Sequence, residues 1–307
     1  MSILSCSYHY YKKTNFVNRS YFYLNPIRTS TMNNPVLSKK IDFKILCSDI
    51  DGTLLSTEND VSKFTISEIA RIKNALQIVL VSARMPQSMT YLQERLGVAK
   101  EPIICYNGAL IMEDENEIFS CTMLLGQVEE LYQIAKKYNI ELGLYFKTEW
   151  YVETNSERVQ KETRDTRATP VFRKTTTTLS DWKKRKISAH KIMLMGTKGA
   201  TDQIFPLLIK QFGEQLHLYR SNDTLIEVAP KSVSKLSAIK LLLQPGQTLR
   251  QVIAFGDNYS DLEMLQSVGC GVAVENAREE VKAIANEVTL RNTEDGVAHW
   301  IHQNLIF

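Results

Sequence analysis

Ile45-Leu46-Cys47-Ser48-Asp49-Ile50-Asp51-Gly52-Thr53-Leu54-Leu55 is the stretch whose reading decides the fold. Its apolar start predicts a buried strand of a parallel sheet. In such sheets ligands bind beyond the carboxyl ends of the strands. Asp49 and Asp51 would stand at that end, one residue apart. Two carboxylates are costly to hold together unless a cation or a proton balances them. A hard divalent cation such as Mg²⁺ prefers oxygen ligands and would fit. The plainer alternative is an Asp-Gly turn after a strand, with both acids solvated.

Working outward, more strands of the same kind follow. Ser62–Leu76 carries an apolar stripe near the helical period, with Ile66, Ile69 and Ile72 upon it. Ile78–Val81 is a second apolar run, ending in Ser82-Ala83-Arg84. A hydroxyl at a strand end can cap the next helix, or bind a phosphate oxygen beside that helix's N–H groups. Met89–Leu96 predicts a helix, and Pro102–Tyr106 a third strand leading into Asn107-Gly108-Ala109. Much later, Gln251–Phe255 predicts a strand that ends in Gly256-Asp257-Asn258-Tyr259-Ser260-Asp261. Two acids four apart there can reach one cation if the chain turns into a helix between them. Gly269–Val274 is a further strand-like run. Strands alternating with helices predict a doubly wound α/β sheet.

The pattern breaks after residue 113. Glu129–Tyr138 and Asp202–Phe212 read as helices. Leu142–Phe146, Trp150–Val152, Lys191–Met195, Leu216–Arg220 and Thr224–Val228 read as short strands. The four threonines Thr175–Thr178 favour extended chain. An inserted α+β domain over 114–226 is expected, dividing a core of 41–113 and 227–307. The basic run Lys183–Lys186 is either a solvated loop or helix end, or an attractor for an anionic substrate. His190 and His217 read as packed or surface residues. His299 and His302 would share a face of a C-terminal helix as a surface pair, not a metal site.

Composition bounds the class. In 307 residues, 44% are hydrophobic and 23% charged, ordinary for a globular protein with a sizeable core. No apolar run approaches the ~20 residues of a membrane span. Five scattered cysteines form no Cys-x-x-Cys pair, so neither a zinc site nor a disulfide framework is suggested. A reducing, cytoplasmic setting fits best. The net charge of +3 comes from residues 1–40, which hold six basic residues and no acid. Beyond them stand 31 basic and 34 acidic residues, which argues against a broad nucleic-acid surface. Residues 1–40 lack periodicity and an apolar signal region. They read as a tail, or as an extension upstream of a working start at Met32; a transit peptide is the competing reading.

Asp49-Ile50-Asp51-Gly52-Thr53-Leu54-Leu55 resembles the first signature of the haloacid dehalogenase superfamily. Ser82 and Arg84 resemble its second, with Ala83 where glycine is usual. Asn107-Gly108-Ala109 is similar to a turn of its Cof-type branch, and the inserted domain to its C2-type cap. Lys235, after Ala229-Pro230-Lys231-Ser232-Val233-Ser234, resembles the third signature, with Leu236 in place of glycine. Asp257 and Asp261 with Met264 resemble the fourth, with Ser260 in place of asparagine.

The resemblance implies Mg²⁺-dependent hydrolysis of a phosphate monoester. It implies Asp49 as nucleophile and Asp51 as general acid/base. Ser82 and Lys235 would hold the phosphoryl group, with Arg84, Asn107 and Ser260 near the substrate. Asp49, Asp51 (through its carbonyl), Asp257 and Asp261 would serve the metal. The expected partner is a small phosphorylated metabolite: a sugar phosphate, a phosphorylated cofactor such as pyridoxal phosphate, or a nucleotide. A phosphomutase of the same superfamily is an alternative. So is a binding or regulatory protein weakened by Ala83, Leu236 and Ser260.

Overall fold

The structure, a computed structural model, describes residues 42–306. The expected tail of residues 1–40, with Met32, lies outside them.

Two sheets organise the chain. β1 (Ile45–Asp49), β2 (Gln77–Val81), β3 (Pro102–Cys105), β4 (Leu110–Glu113) and β5 (Asn116–Ser120) belong to the first. The second contains β6 (Glu141–Phe146), β7 (Glu149–Val152), β8 (Val171–Phe172), β9 (Lys191–Met195), β10 (Leu216–Asn222) and β11 (Leu225–Pro230). The chain then returns to the first with β12 (Val252–Gly256), β13 (Cys270–Val274) and β14 (Glu287–Thr289). The first sheet runs β14-β13-β12-β1-β2-β3-β4-β5. Its strands are parallel up to β3, and the β4–β5 hairpin adds an antiparallel edge.

β1 lies between β12 and β2, where strand order reverses, and all five of its residues are buried. Burial on both faces explains why it reads as a continuous apolar run. The switch point places its carboxyl end at the mouth of a crevice.

The helices of the first sheet before the insertion are α1 (Lys63–Ile72) and α2 (Gln87–Leu96). The second sheet carries α3 (Leu125–Lys137), α4 (Glu157–Thr166), α5 (Thr175–Arg185) and α6 (Lys198–Phe212). Those after the insertion are α7 (Lys235–Leu242), α8 (Leu262–Ser267), α9 (Glu279–Ile284) and α10 (Gly296–Asn304). On β9 the alternation divides the side chains. Ile192 and Leu194 join the cluster made with α3, α5 and α6, whereas Met193 and Met195 belong to the cluster that continues into the first sheet.

The structure alters three expectations. The boundary expected at 113/114 falls at the tip of the β4–β5 hairpin, which belongs to the first sheet; the other, at 226/227, falls inside β11. The chain crosses between sheets near Cys121–Leu124 and Lys231–Ser234, where Cys121 Sγ and Ser232 Oγ stand 3.4 Å apart. Thr175–Thr178 are not extended but form the first turn of α5. Thr178, Leu179 and Trp182 are buried at helical spacing, and that packing overrides β-propensity. Helix α4 was not apparent in the sequence, because Val159 and Thr166 alone of its ten residues are buried. The basic run ends α5, where cations suit the helix dipole. Arg185 is spent on Glu149 and Asp181, which supports the solvated reading.

His190 is packed, with its ring against those of Tyr106 and Phe146. The Lys147 backbone N–H donates to its Nδ1 at 3.2 Å, so Nε2 carries the proton toward Ser120 Oγ at 2.9 Å. Burial, then Lys147, lowers its pKa from 6.5 to about 4. The folded value lies below the unfolded one, so the neutral ring stabilises the fold above pH 6.5. That contribution is lost as pH falls toward 4. Acidification across this window should cost about 3 kcal/mol. Urea melts of wild type and His190→Phe at pH 7 and pH 4.5 check this: the variant's stability should fall less. An equal fall in both would remove His190 as the cause.

Candidate active site

Three loops at the carboxyl ends of β1, β2 and β12 meet the start of α7. Asp49 ends β1 and is 6% exposed. The chain then turns through Gly52 at φ +80°, where a Cβ would stand 2.6 Å from Asp257 Oδ2. Glycine therefore lets this turn close on Asp257. Thr53 Oγ1 donates to Asp257 Oδ1 at 3.3 Å. At the end of β12, Gly256 leaves room for Asp261, whose Cβ a side chain there would meet at 2.5 Å.

Lys235 opens α7 behind the cap Ser234, whose Oγ accepts from Ser237 N. Its Nζ donates to Asp49 Oδ1 at 2.5 Å and Asp261 Oδ1 at 2.7 Å. The other Asp261 oxygen accepts from the N–H groups of Asp257 and Asn258 at 3.1 and 3.0 Å. Asp261 is thus fully buried with both oxygens engaged, and it fixes the lysine from behind.

Burial pushes the Asp49 carboxyl well above its usual range; Lys235 opposes this, while Asp261 and Asp257 add to it. Burial, then Asp261, raises Asp257 to about 6 against the pull of Lys235. For Lys235 burial acts downward, but Asp261 and Asp49 overturn it and the net direction is up. One ammonium thus faces three carboxylates, and positive charge is short. Oxygens of Asp49, Asp257 and Asp261 lie within 4.8 Å of one another. An all-oxygen donor set lacking positive charge fits a hard divalent cation.

Asp51 is held apart from this cluster. Its side chain is 55% exposed and takes both arms of Arg84, Nε to Oδ2 at 2.8 Å and Nη2 to Oδ1 at 2.7 Å. Arg84 itself is buried. It also donates to the carbonyls of Ser88 and, across the cleft, Asp165 in α4. Ser82 Oγ accepts from Arg84 N at 3.1 Å, which leaves its proton for another acceptor. Asn107 sits in a left-handed turn, φ +55°, and its buried Oδ1 has no partner. The next residue, Gly108, packs on the start of α7: a Cβ there would lie 2.3 Å from Ser234 O. Ser260 lines the cleft, half-buried.

All nine expected site residues therefore meet in one cleft of about 540 Å³ or directly behind it, although they come from five separate stretches. The far wall was not foreseen. It includes Arg158, Glu162 and Thr166 of α4, with Lys191, Ser221 and Glu227 of the second sheet. None belongs to a spaced motif; the one signal was a lysine opening the apolar strand Lys191–Met195.

Residues 46–301 match the model of a family described as haloacid dehalogenase-like hydrolase. A Haemophilus influenzae relative is 31% identical over 271 residues, 83% of this chain and 96% of that one. A Bacillus subtilis relative named 5-amino-6-(5-phospho-D-ribitylamino)uracil phosphatase is 26% identical, over 84% of this chain and 96% of its own. The crystal structure of a haloacid dehalogenase-like hydrolase from Bacteroides thetaiotaomicron superposes with a TM-score of 0.77 at 27% identity, covering 85% of this chain and 99% of that one. With these signatures in one cleft at the switch point of β1, the chain belongs to the haloacid dehalogenase-like hydrolases, in the Cof-type phosphatase branch that its sequence resembles.

Proposed function

We propose that the chain hydrolyses small phosphate monoesters through a phosphoryl group carried on Asp49. The observation that carries this reading is Lys235 bridging Asp49 and Asp261, with Asp257 opposite and Asp51 held apart. A carboxylate oxygen of Asp49 attacks phosphorus as the P–O bond to the leaving group breaks. Asp51 gives its proton to the departing oxygen. The anhydride on Asp49 is then cleaved by water, whose proton returns to Asp51. One difficult displacement becomes two easier ones. Lys235 and the free proton of Ser82 bind phosphoryl oxygens, placing donors where charge develops. Asn107 and Ser260 line the same cleft and would stand near the substrate.

A divalent metal ion, Mg²⁺ by its preference for oxygen, would be held by Asp49, Asp257 and the Asp51 carbonyl, and would supply charge neutralisation and orientation. Asp261 supports it through Lys235, or through water. Sugar phosphates, pyridoxal phosphate and nucleotides are the candidate substrates. No helix among the described residues is long and apolar enough to cross a membrane, and Cys47, Cys105, Cys121 and Cys270 are free. A cytoplasmic site of action accords with the free thiols.

The test is phosphate release from p-nitrophenyl phosphate, with and without chelator. Activity should disappear on chelation and return with Mg²⁺. Full turnover in metal-free buffer would rule out the metal. No release from any ester, with phosphate still bound, would favour a binding protein.

A further inference from the structure

The turns after β13 and β14 hold two half-buried asparagines that the chemistry above does not use. Both grip the catalytic loop by its backbone. Asn276 Nδ2 donates to Gly52 O at 2.8 Å, and Asn292 Nδ2 donates to Leu55 O at 2.8 Å. Between them, the Asn292 backbone N–H donates to Asn276 Oδ1 at 2.9 Å, which fixes the first amide. Strand β12 lies between β13 and β1, so Asn276 reaches past the end of a strand to do this. The loop it holds is closed on itself, because the Leu55 N–H donates to Ile50 O at 3.1 Å. Its carbonyls at Gly52 and Leu55 find their partners 224 and 237 residues further along the chain.

The place of these bonds gives them a task. The ladder between β1 and β12 ends at Ser48 and Phe255, so Asp49 and Asp257 lie past its last rung. The two loops carry acids that repel one another, and beyond the ladder other bonds must hold them at a working separation. Thr53 is one such tie, through Asp257 Oδ1. The turn after β13 is a second, and it holds both loops at once. Asn276 takes Gly52 O, and the Arg278 backbone N–H donates to Asp257 O at 3.0 Å. Ala277 alone separates the two, and it is buried. Asn276–Arg278 is therefore a short bridge between the loop of Asp49 and Asp51 and the loop of Asp257. An amide suits this place: it donates and accepts without charge, so it neither competes for a cation nor neutralises the acids.

We propose that Asn276 is a positioning residue for the cation: by fixing Gly52 O it sets the separation of the Asp49–Asp51 loop from Asp257, and Asn292 holds Asn276 in place. This rests on the phosphatase reading above, in which those acids share a divalent ion. A small hard cation demands near-ideal placement of its oxygens. A loosened loop therefore weakens the ion's binding, while the nucleophile and the acid/base keep their own chemistry. Groups that orient ligands without touching the metal change its affinity by about 10–100-fold.

The test uses the full chain stripped of metal, with Mn²⁺ as an oxygen-seeking probe whose free form is counted by electron paramagnetic resonance. Asn276→Ala should weaken Mn²⁺ binding by at least about 10-fold. Asn276→Asp keeps the shape and the acceptor for the Asn292 N–H, and serves if the alanine variant does not fold. It loses the donor to Gly52 O, so it should also bind Mn²⁺ more weakly, by at least about 3-fold, although it adds negative charge. Thr289→Val breaks the bond from Thr289 Oγ1 to Gly296 O, near Asn292 but away from the catalytic loop. It should leave Mn²⁺ affinity within about 2-fold of wild type, however far its melting temperature falls. With p-nitrophenyl phosphate, Asn276→Ala should need more Mg²⁺ for half-maximal activity by the factor lost in Mn²⁺ binding. At saturating Mg²⁺ its kcat should come within about 3-fold of wild type. Wild-type Mn²⁺ affinity in folded Asn276→Ala, tighter binding in Asn276→Asp, a kcat that stays low at saturating Mg²⁺, or an equal loss of affinity in Thr289→Val would overturn the proposal. Mg²⁺-dependent hydrolysis by wild type would then leave the phosphatase reading standing. A wild type that binds no Mn²⁺ would overturn the proposal together with the metal, and no hydrolysis of any ester would overturn the phosphatase reading itself.

Discussion

Asp49→Asn should abolish phosphate release, by at least about 10⁴-fold in kcat, while leaving the protein folded. The amide keeps the shape of the carboxylate and cannot attack phosphorus. It can still accept from Lys235, which retains Asp261 at 2.7 Å. The effect on stability has a definite sign. Burial and two neighbouring acids raise the Asp49 carboxyl well above its ordinary pKa. The folded value exceeds the unfolded one, so at neutral pH the ionised group opposes folding in the metal-free protein. Removing the charge should hold or raise the melting temperature of metal-free protein at pH 7. Loss of turnover with a melting temperature at or above wild type separates chemistry from folding. Turnover equal to wild type would exclude the covalent mechanism.

Much of this site was legible because each core signature couples a strand to a functional loop. The apolar run before Asp49 is buried on both faces, and that same burial raises its pKa. Gly52 and Gly256 stand where a Cβ would strike Asp257 and Asp261, so the glycines and acids form one unit of sequence and of space. The second sheet was read as separate strands for a related reason, since they alternate or run apolar. What could not be read was the wall it presents to the cleft. Helix α4 holds a single apolar residue, Val159, among its ten, so its Glu157–Thr166 pattern offers no apolar period. Glu227 sits in a strand whose neighbours are apolar, and its partner Lys191 is 36 residues away. Such pairings depend on sheet register, which no local spacing encodes. The β4–β5 hairpin was missed because Asn116–Ser120 is mostly exposed and has no buried side to mark it as a strand. The threonine run shows the converse: a strong local preference for extension lost to the burial of Thr178 and Trp182 on one helical face.

Asp51→Asn should slow steady turnover by about 10²–10⁴-fold, yet trap phosphate on Asp49 when the leaving group is activated. The two half-reactions need Asp51 differently. p-Nitrophenolate leaves readily without a proton, so the first displacement proceeds with the nucleophile intact. Water must lose a proton to attack the anhydride, and asparagine cannot accept it. Mass spectrometry should find one added phosphoryl group in Asp51→Asn and none in the variant that also carries Asp49→Asn. The fold should tolerate the change. Asp51 is 55% exposed, so its ion pair is screened by solvent and contributes modestly to stability. Arg84 keeps the carbonyls of Ser88 and Asp165, and an asparagine oxygen can still accept one of its bonds. The placement of Arg84 makes a further distinction possible. It grips both Asp51 oxygens from the core and a carbonyl of α4 from the opposite wall, so one side chain ties the proposed acid/base to both walls. If Asp51 acts as proposed, the trapped phosphoryl group persists in Asp51→Asn because dephosphorylation is the blocked step. Wild-type turnover in Asp51→Asn would remove it from the mechanism. Slow turnover with no trapped group would place its role in the first displacement alone.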